Sequence, residues 1–437
     1  MCDYSEIIKN PELLYLASVK RMAVRIDTSI ENTKTVCHDS LEGDKFLFAD
    51  TTSSSFRSSP NHRPNIIHFF GSSHDDFYNG VSLYYMRGAY ENLIERESSP
   101  VSRSYNHILV QCHPNGTWSF PTTLSDNDLH AAARVSIGTM ISMIDLLKPV
   151  AAAPHMFCTH GLTTVRGLFE MLGVPVIGNK SELMALSTNK WQTRCILESS
   201  GVPVPKAKLL TTAEVEGFLA TPSMTAPFII KPCSEGNSLG LSMFKGGNKD
   251  ELSAMIGYAF KYDTEVLVEE YIPLGYEVRA AVVENEKGDL EVLPICNYVL
   301  QDSHPIRTLE DKLETNKDGV PTTATKCKRE LPPKSLPVEV ICNIEKYAKK
   351  AHTALGCRDY SIFDVRVSPE GIPYFIEASL YCSYASKSII VMMSEAEGRK
   401  PYDLFTIALE KAINRCPQKR EDENQNCSHI VEKRSVS

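Results

Sequence analysis

The chain has 437 residues, 42% hydrophobic and 23% charged, with a net charge of -8. Such a length buries a large core and divides into two or three domains, and an acidic balance without a basic cluster argues against a nucleic-acid-binding surface. No run of about 18 apolar residues is present, which argues against a membrane span. The start, Met1-Cys2-Asp3-Tyr4-Ser5-Glu6, has neither a basic nor an apolar leader region, so a cytoplasmic protein is expected. The 13 cysteines are odd in number and lack CxxC or Cys/His spacing, which reads as reduced thiols rather than disulfides or a zinc site.

Residues 1–61 read as an N-terminal extension closing in a Ser/Thr-rich linker. Over 62–182 strands and helices alternate. An apolar run at 65–70 stops at Gly71-Ser72-Ser73, and a helix is expected at 78–93 and a strand at 107–111. Helical spacing follows across 129–147, then 154–158 leading into Thr159-His160-Gly161, a helix at 165–172 and a strand at 174–177. The alternation predicts an open α/β domain, with the loops bearing Ser72 and His160 at strand ends, where such sheets bind ligands. Over 183–270 the expected elements are a helix at 183–200, a hairpin around 228–244, a helix at 249–260 and a strand at 265–272. Over 271–414 come strands at 279–284 and 290–299 and a polar, Pro-rich stretch at 301–337, long enough for an active-site loop. An amphipathic helix at 338–355 then shows Val338, Ile341, Ile344, Ala348, Ala351 and Leu355 on one face, before a hairpin of 360–367 and 374–378. The charged tail, 415–437, has no periodic apolar face and reads as disordered.

The hairpin at 228–244 carries the most informative loop, Lys231-Pro232-Cys233-Ser234-Glu235-Gly236-Asn237-Ser238-Leu239-Gly240. Gly236 and Gly240 let a backbone approach a ligand, successive N–H groups can cradle an anion, and Lys231 adds a point charge. The same letters satisfy the G-x-S-x-G nucleophile elbow of serine hydrolases. That elbow needs a strand directly before the serine and a helix directly after it, whereas a second strand follows here. A plain hairpin loop without a ligand is the third reading.

Asp364 and Glu377 face each other on the last hairpin with apolar neighbours on both sides. Buried carboxylates need a charge partner, and Mg²⁺ carrying substrate phosphates would supply one. The alternative is a pair bridged by Arg366 or a neighbouring lysine. Glu269 and Glu270 end a strand before Tyr271-Ile272, a place that can offer backbone and carboxylate to an adenine edge or be simply an exposed acidic strand end. Lys190 and Lys312 say little singly, because most lysines only solvate a surface.

Taken in order, these pieces resemble the ATP-grasp fold of the D-alanine–D-alanine ligase superfamily, across about 64–412. The resemblance rests on His160-Gly161, Lys190 followed by Gly201-Val202-Pro203-Val204-Pro205, the Lys231 to Gly240 loop, and Val268-Glu269-Glu270-Tyr271-Ile272 with Glu277. It continues through Glu310-Asp311-Lys312, Phe363-Asp364-Val365 and Ile376-Glu377-Ala378. It implies an α/β ATP-grasp chain with an N-terminal α/β domain (62–182), a lid (183–270) and a catalytic region (271–414). It also implies ATP and Mg²⁺ as cofactors. Lys190, Lys231, Glu235 and Ser238 would meet the phosphates. Glu269, Glu270 and the backbone near Ile272 would meet the adenine, and Glu277 the ribose. Lys312 would close over the γ-phosphate, and Asp364 and Glu377 would hold the metal. Four positions depart from the pattern: Ile362 in place of an arginine that stabilises the tetrahedral intermediate, Ser379 in place of an asparagine metal ligand, Leu313 in place of a tyrosine, and Ser383 in place of a glycine.

Further segments are similar to the branch that makes mycosporine-like amino acids. They include Phe70-Gly71-Ser72-Ser73, Trp118-Ser119-Phe120-Pro121, Glu277-Val278-Arg279, Pro305-Ile306-Arg307 and Glu377-Ala378-Ser379-Leu380-Tyr381. That likeness implies a ligase joining serine or threonine to mycosporine-glycine, whose ring ketone is a vinylogous acid. Arg279, Arg307, Lys387 and Ser388 would hold substrate carboxylates, each with a surface salt bridge as the alternative. The expected partners are small-molecule substrates, and a second copy in a homodimer, without nucleic acid or membrane. A dipeptide ligase of the D-alanine type and a nucleotide-binding pseudoenzyme are the rival readings.

Overall fold

The computed structural model describes residues 63–315, 321–323 and 327–415. The expected N-terminal extension and the tail from Cys416 lie outside the described residues.

The first layer is a four-stranded sheet in the order β3-β2-β1-β4. Strand β1 (Asn65–Gly71) leads through helix α1 (Asp76–Tyr90) to β2 (Asn106–Cys112), which pairs with it in parallel. Asp75 starts α1 by accepting a bond from the Tyr78 N–H at 2.8 Å. Strand β3 is Trp118–Ser119, and β4 (Ala151–Pro154) pairs in parallel with β1. Ile66, Ile67, Phe69 and Phe70 are fully buried, as expected for a parallel strand covered on both faces.

Several boundaries differ from the sequence expectation. The helical spacing across 129–147 resolves into α2 (Asp126–Ala131) and α3 (Ile137–Leu147), because Val135 bridges to Trp118 between them and Ser136 caps the second helix. Strand β4, not expected from the sequence, lies just upstream of the 154–158 segment, in an alanine run with weak strand propensity that is held by burial on both faces. The expected strand at 174–177 is reduced to a single bridge between Ala152 and Val176. The helix at 165–172 appears as α4 (Thr164–Met171). The helix at 183–200 divides into α5 (Ser181–Thr188) and α6 (Lys190–Ser199), because the Asn189 side chain accepts from Gln192 N–H and restarts the helix.

The second sheet is antiparallel, in the order β5-β8-β6-β7. Its strands are β5 (Ala207–Leu210), β6 (Phe228–Pro232), β7 (Ser242–Phe244) and β8 (Val266–Glu270), with helix α7 (Lys249–Ala259) packed on one face. Alternation decides what faces where. Phe228, Ile230, Val266 and Val268 pack with Leu252 and Ile256 of α7. Ile229, Lys231 and Glu269 therefore point to the other side.

The third sheet runs β14-β11-β9-β15-β16, with β10 paired to β9. Its long strands are β9 (Tyr276–Glu284), β15 (Tyr360–Val367) and β16 (Pro373–Ser379), all antiparallel to their neighbours. The expected strand at 290–299 is two short ones, β10 (Leu290–Val292) and β11 (Cys296–Tyr298). The long 301–337 stretch contains β12 (Leu313–Thr315), β13 (Pro321–Thr323) and β14 (Arg329–Glu330), and β13 lies beside α1. Helix α8 (Val338–Leu355) covers one face with Val340, Ile344, Ala348, Ala351 and Leu355. Val338, expected on that face, is 75% exposed, because a position two residues before Val340 is turned about 200° around the helix from it, off the buried stripe.

One irregularity positions the site. Asp364 pairs with Glu377, but Val365 pairs with Phe375, leaving Ile376 as an extra residue. Strict alternation would put Phe375 and Glu377 on one face. The bulge instead sends Phe375 into the core with Phe363 and leaves both Ile376 and Glu377 against a cavity. The chain closes with α9 (Ile389–Ala396) and α10 (Asp403–Asn414).

Candidate active site

Two adjoining cavities lie between the second and third sheets and the first layer. The smaller, about 100 Å³, is lined by Ile229, Lys231 and Glu269 from the second sheet, by Tyr271 and Ile272 just after β8, and by Glu277, Asp364, Arg366 and Glu377 from the third sheet. The larger, about 220 Å³, is lined by Tyr78 and Tyr85 of α1, Phe157, Arg279, Tyr298, Tyr381, Lys387 and Ser388. Lys190, Glu235, Arg307, Lys312 and Glu377 line both and form the wall between them.

In the smaller cavity the acids are held by cations. Lys231 and Glu269, 5% and 4% exposed, pair at 2.5 Å. Register explains this: Lys231 stands opposite Leu267, one diagonal step from Glu269. Arg366 stands opposite Glu277 and pairs with it at 2.9 Å. Burial pushes the Glu277 carboxyl up, and Arg366 opposes that. Asp364 stands opposite Arg279 and is clasped by both arms of its guanidinium. Burial alone would raise the Asp364 carboxyl, but Arg279 outweighs it and holds it below the usual range. Arg366, the alternative bridge for the acid pair, is thus one row away, and the cation on Asp364 is Arg279.

The glycine-rich loop closes over this cavity. Asn237 and Ser238 have left-handed backbones, with φ of 53° and 64°, and the loop returns directly into β7. No helix follows Ser238, so the nucleophile-elbow geometry is absent. The Ser238 hydroxyl donates to the Arg307 carbonyl at 2.8 Å, and Arg366 donates to the Pro305 carbonyl at 2.7 Å, so segment 305–307 is tied from both sides. A Cβ on Gly240 would lie 2.6 Å from Pro232, so this glycine serves the loop's own packing rather than a ligand. Lys190 opens α6; its Nζ donates to the Glu235 carbonyl and its N–H to that of Cys233, at 3.0 Å. Burial raises the Glu235 carboxyl, with Lys190 opposing. Burial lowers Lys312, while Asp364 and Glu377 favour its charge. Glu270 lines the cavity edge and accepts from the Lys206 N–H at 2.9 Å.

Asp364 and Glu377 suit a magnesium ion that also carries phosphate. Among the described residues no three His, Cys, Asp or Glu side chains gather as a metal cage. Mg²⁺ requires only one or two carboxylates when phosphate oxygens and water complete the octahedron.

Two expected residues do not reach either cavity. Ser72 is fully buried and its hydroxyl accepts from the His74 N–H at 3.0 Å, so it forms a turn. His160 is exposed and bonds to Ser73 at 3.0 Å. Sequence reasoning had assigned no role to Tyr298, which carries the Arg307 guanidinium 3.6 Å above its ring, or to the wall of Tyr85, Phe157 and Tyr381. Period-two alternation from Glu277 across to β11 could have found Tyr298; the aromatic wall joins three distant segments and carries no local signal.

An antiparallel sheet opposed to a second sheet bearing acids, with a cleft between them, is the arrangement of an ATP-grasp fold. The comparisons with known proteins agree. The family described as D-ala D-ala ligase C-terminus matches residues 196–410. The D-alanine–D-alanine ligase of Nitrosospira multiformis is 30% identical over 239 residues, 54% of this chain and 70% of that protein. The D-alanine–D-alanine ligase B of Chromobacterium violaceum is 29% identical over 248 residues, 56% of this chain and 75% of that protein. Among solved structures, the VanG D-Ala:D-Ser ligase from Enterococcus faecalis shares the fold with a TM-score of 0.65 at 24% identity, over 81% of this chain and 99% of that one. The D-alanine–D-alanine ligase from Bacillus anthracis complexed with ATP does so with a TM-score of 0.59 at 20% identity, over 82% and 99%. The chain belongs to the D-alanine–D-alanine ligase family: it is an ATP-dependent carbon–nitrogen ligase, with ATP and Mg²⁺ as its cofactors. Among the described residues no helix is long and apolar enough to cross a membrane.

Proposed function

We propose that this ligase joins an amino-acid amine to a vinylogous acid, with mycosporine-glycine and serine or threonine as the substrate pair. The observation that carries the reading is the lining of the larger cavity. Lys190, Arg279, Arg307, Lys312, Arg329 and Lys387 stand there against only Glu235, Asp311 and Glu377, beside the wall of Tyr85, Phe157 and Tyr381. An excess of cations next to aromatic faces suits a flat, conjugated acid better than an alanine methyl.

The γ-phosphoryl of ATP passes to the oxygen of the ring ketone with release of ADP, the amine attacks the carbon bearing that oxygen, and phosphate leaves as the amine gives up a proton. A metal ion held by Asp364 and Glu377 would neutralise phosphate charge. In this reading Lys190, Lys231, Glu235 and Ser238 orient the phosphates, and Glu269, Glu270 and the Ile272 backbone take the adenine. Glu277 takes the ribose, Lys312 the γ-phosphate, and Asp364 with Glu377 the metal. Arg279, Arg307, Lys387 and Ser388 hold the carboxylates of the substrates. The protein's contribution is positioning and charge neutralisation.

The names of the relatives favour a second reading, a D-alanine-type dipeptide ligase. ADP release by the purified protein separates the two. Turnover with mycosporine-glycine plus serine or threonine supports the first, and rapid turnover with D-alanine alone overturns it. The nine described cysteines are free, which suits a cytoplasmic enzyme, and size-exclusion light scattering tests the homodimer.

A further inference from the structure

Arg279 belongs to one cavity and is held by the other. It lines the larger cavity, whereas its partner Asp364 lines the smaller. Its position on β9 is opposite Asp364, and Glu377 follows one strand further in the same row. Nε donates to one carboxylate oxygen and Nη2 to the other, the second at 3.2 Å. The fork therefore engages, with a full positive charge, both oxygens that a metal ion would use. The side chains are 22% and 13% exposed, so water screens the pair only partly.

A guanidinium and a divalent cation compete for one carboxylate. Mg²⁺ demands close oxygen ligands in a rigid octahedron, and its charge repels the guanidinium. When the metal takes Asp364, at least one arm of Arg279 comes free. The side chain then faces the larger cavity, where cations already outnumber carboxylates.

We propose that Arg279 is a metal-released anion receptor. It holds Asp364 while the metal position is empty, and it turns to the anionic oxygen of the acid substrate once the metal nucleotide claims that carboxylate. This rests on the metal reading given above. By linkage, a substrate anion that engages the freed guanidinium strengthens metal-nucleotide binding, and the nucleotide strengthens substrate binding equally. The acid substrate thus finds its receptor complete only after the nucleotide is in place.

The test is a Mn²⁺ titration followed by electron paramagnetic resonance with AMP-PNP present, on wild type, Arg279→Gln and Arg279→Lys. Arg279→Gln is expected to bind Mn²⁺ about tenfold tighter, within the usual range for linked sites. Arg279→Lys, which keeps the charge but not the fork, should fall between, and it carries the test if the Gln variant fails to fold. A role limited to holding Asp364 in place predicts the opposite sign, so unchanged or weaker Mn²⁺ binding overturns the proposal. Absence of Mn²⁺ binding in wild type would instead overturn the metal reading beneath it. In a second arm, calorimetry measures mycosporine-glycine, or D-alanine where wild type takes that instead. Mg²⁺ with AMP-PNP should strengthen binding about tenfold in wild type and leave it unchanged in Arg279→Gln; an equal strengthening in both sinks the idea.

Discussion

The two cavities solve opposite electrostatic problems. The smaller one balances itself: Lys190, Lys231, Arg307, Lys312 and Arg366 meet Glu235, Glu269, Glu270, Glu277, Asp364 and Glu377, and three of these acids are already paired. The larger one holds twice as many cations as carboxylates and adds aromatic faces. A balanced cavity rearranges its ion pairs before it takes a charged ligand, which makes binding conditional. A positive cavity attracts an anion at once, but its selectivity rests on shape and on which cations are free.

The largest expected effect separates the two cavities least. Lys231→Ala should remove ATP binding and ADP formation by about a thousandfold or more, since a preorganised charge at a phosphate is lost. It also strands Glu269, a buried carboxylate, at a cost of about 3–5 kcal/mol. Thermal melts should show Lys231→Ala strongly destabilised and Lys231→Met with Glu269→Gln largely restored, while neither regains turnover.

Glu377→Gln should reduce ADP formation by about a hundredfold or more through loss of a metal-facing charge. Mn²⁺ binding should weaken with it, while the melting temperature changes little. Preserved Mn²⁺ affinity would remove Glu377 from the metal site. Lys387→Met addresses the larger cavity alone. The expectation is a rise of about 10- to 100-fold in KM for the acid substrate, the range for losing one charge-assisted bond, with nucleotide affinity unchanged. A parallel loss of nucleotide binding would show that the cavities are not separable at this residue.

The smallest effect on activity is expected outside both cavities. Glu284 pairs with Lys411 at 2.7 Å and accepts from the Asp359 N–H at 3.0 Å. Burial raises its carboxyl, but the nearby His352 ring, 3.7 Å away, and the bonded Lys411 ammonium outweigh this and bring it to about 2. A depressed folded value stabilises the protein above the ordinary carboxylate range, near 4.5, and that stabilisation is lost as pH falls towards 2. Glu284→Gln should therefore melt lower than wild type at neutral pH, with the gap closing between about pH 4.5 and 2, and should turn over normally.

Legibility followed the same division. Lys231, Glu269, Asp364 and Glu377 were readable because each lies on a short strand bounded by apolar neighbours or turn residues. Ser72 and His160 were misplaced for the converse reason: a strand-end loop announces a ligand only when its side chains are not already consumed, and here a turn and a neighbouring serine use them. The split of the expected 183–200 helix had a signal that was passed over, since asparagine favours helix starts over helix interiors and Asn189 caps the second helix.

The sequence by itself determined the class of the protein through resemblance: the order of lysines, glycines and acids is carried by local segments of chain, and its likeness to the ATP-grasp pattern implied the fold and the cofactors. Tertiary structure decided three things that no local pattern holds. It put the bulge at Ile376, so that Phe375 and Glu377 part to opposite faces. It gave Asp364 to Arg279 and Glu277 to Arg366, because ion pairing across strands follows register, which is set by the packing of whole sheets. It also assembled Tyr85, Phe157 and Tyr381 into one wall from segments far apart in the chain, since long-range packing alone brings them within reach.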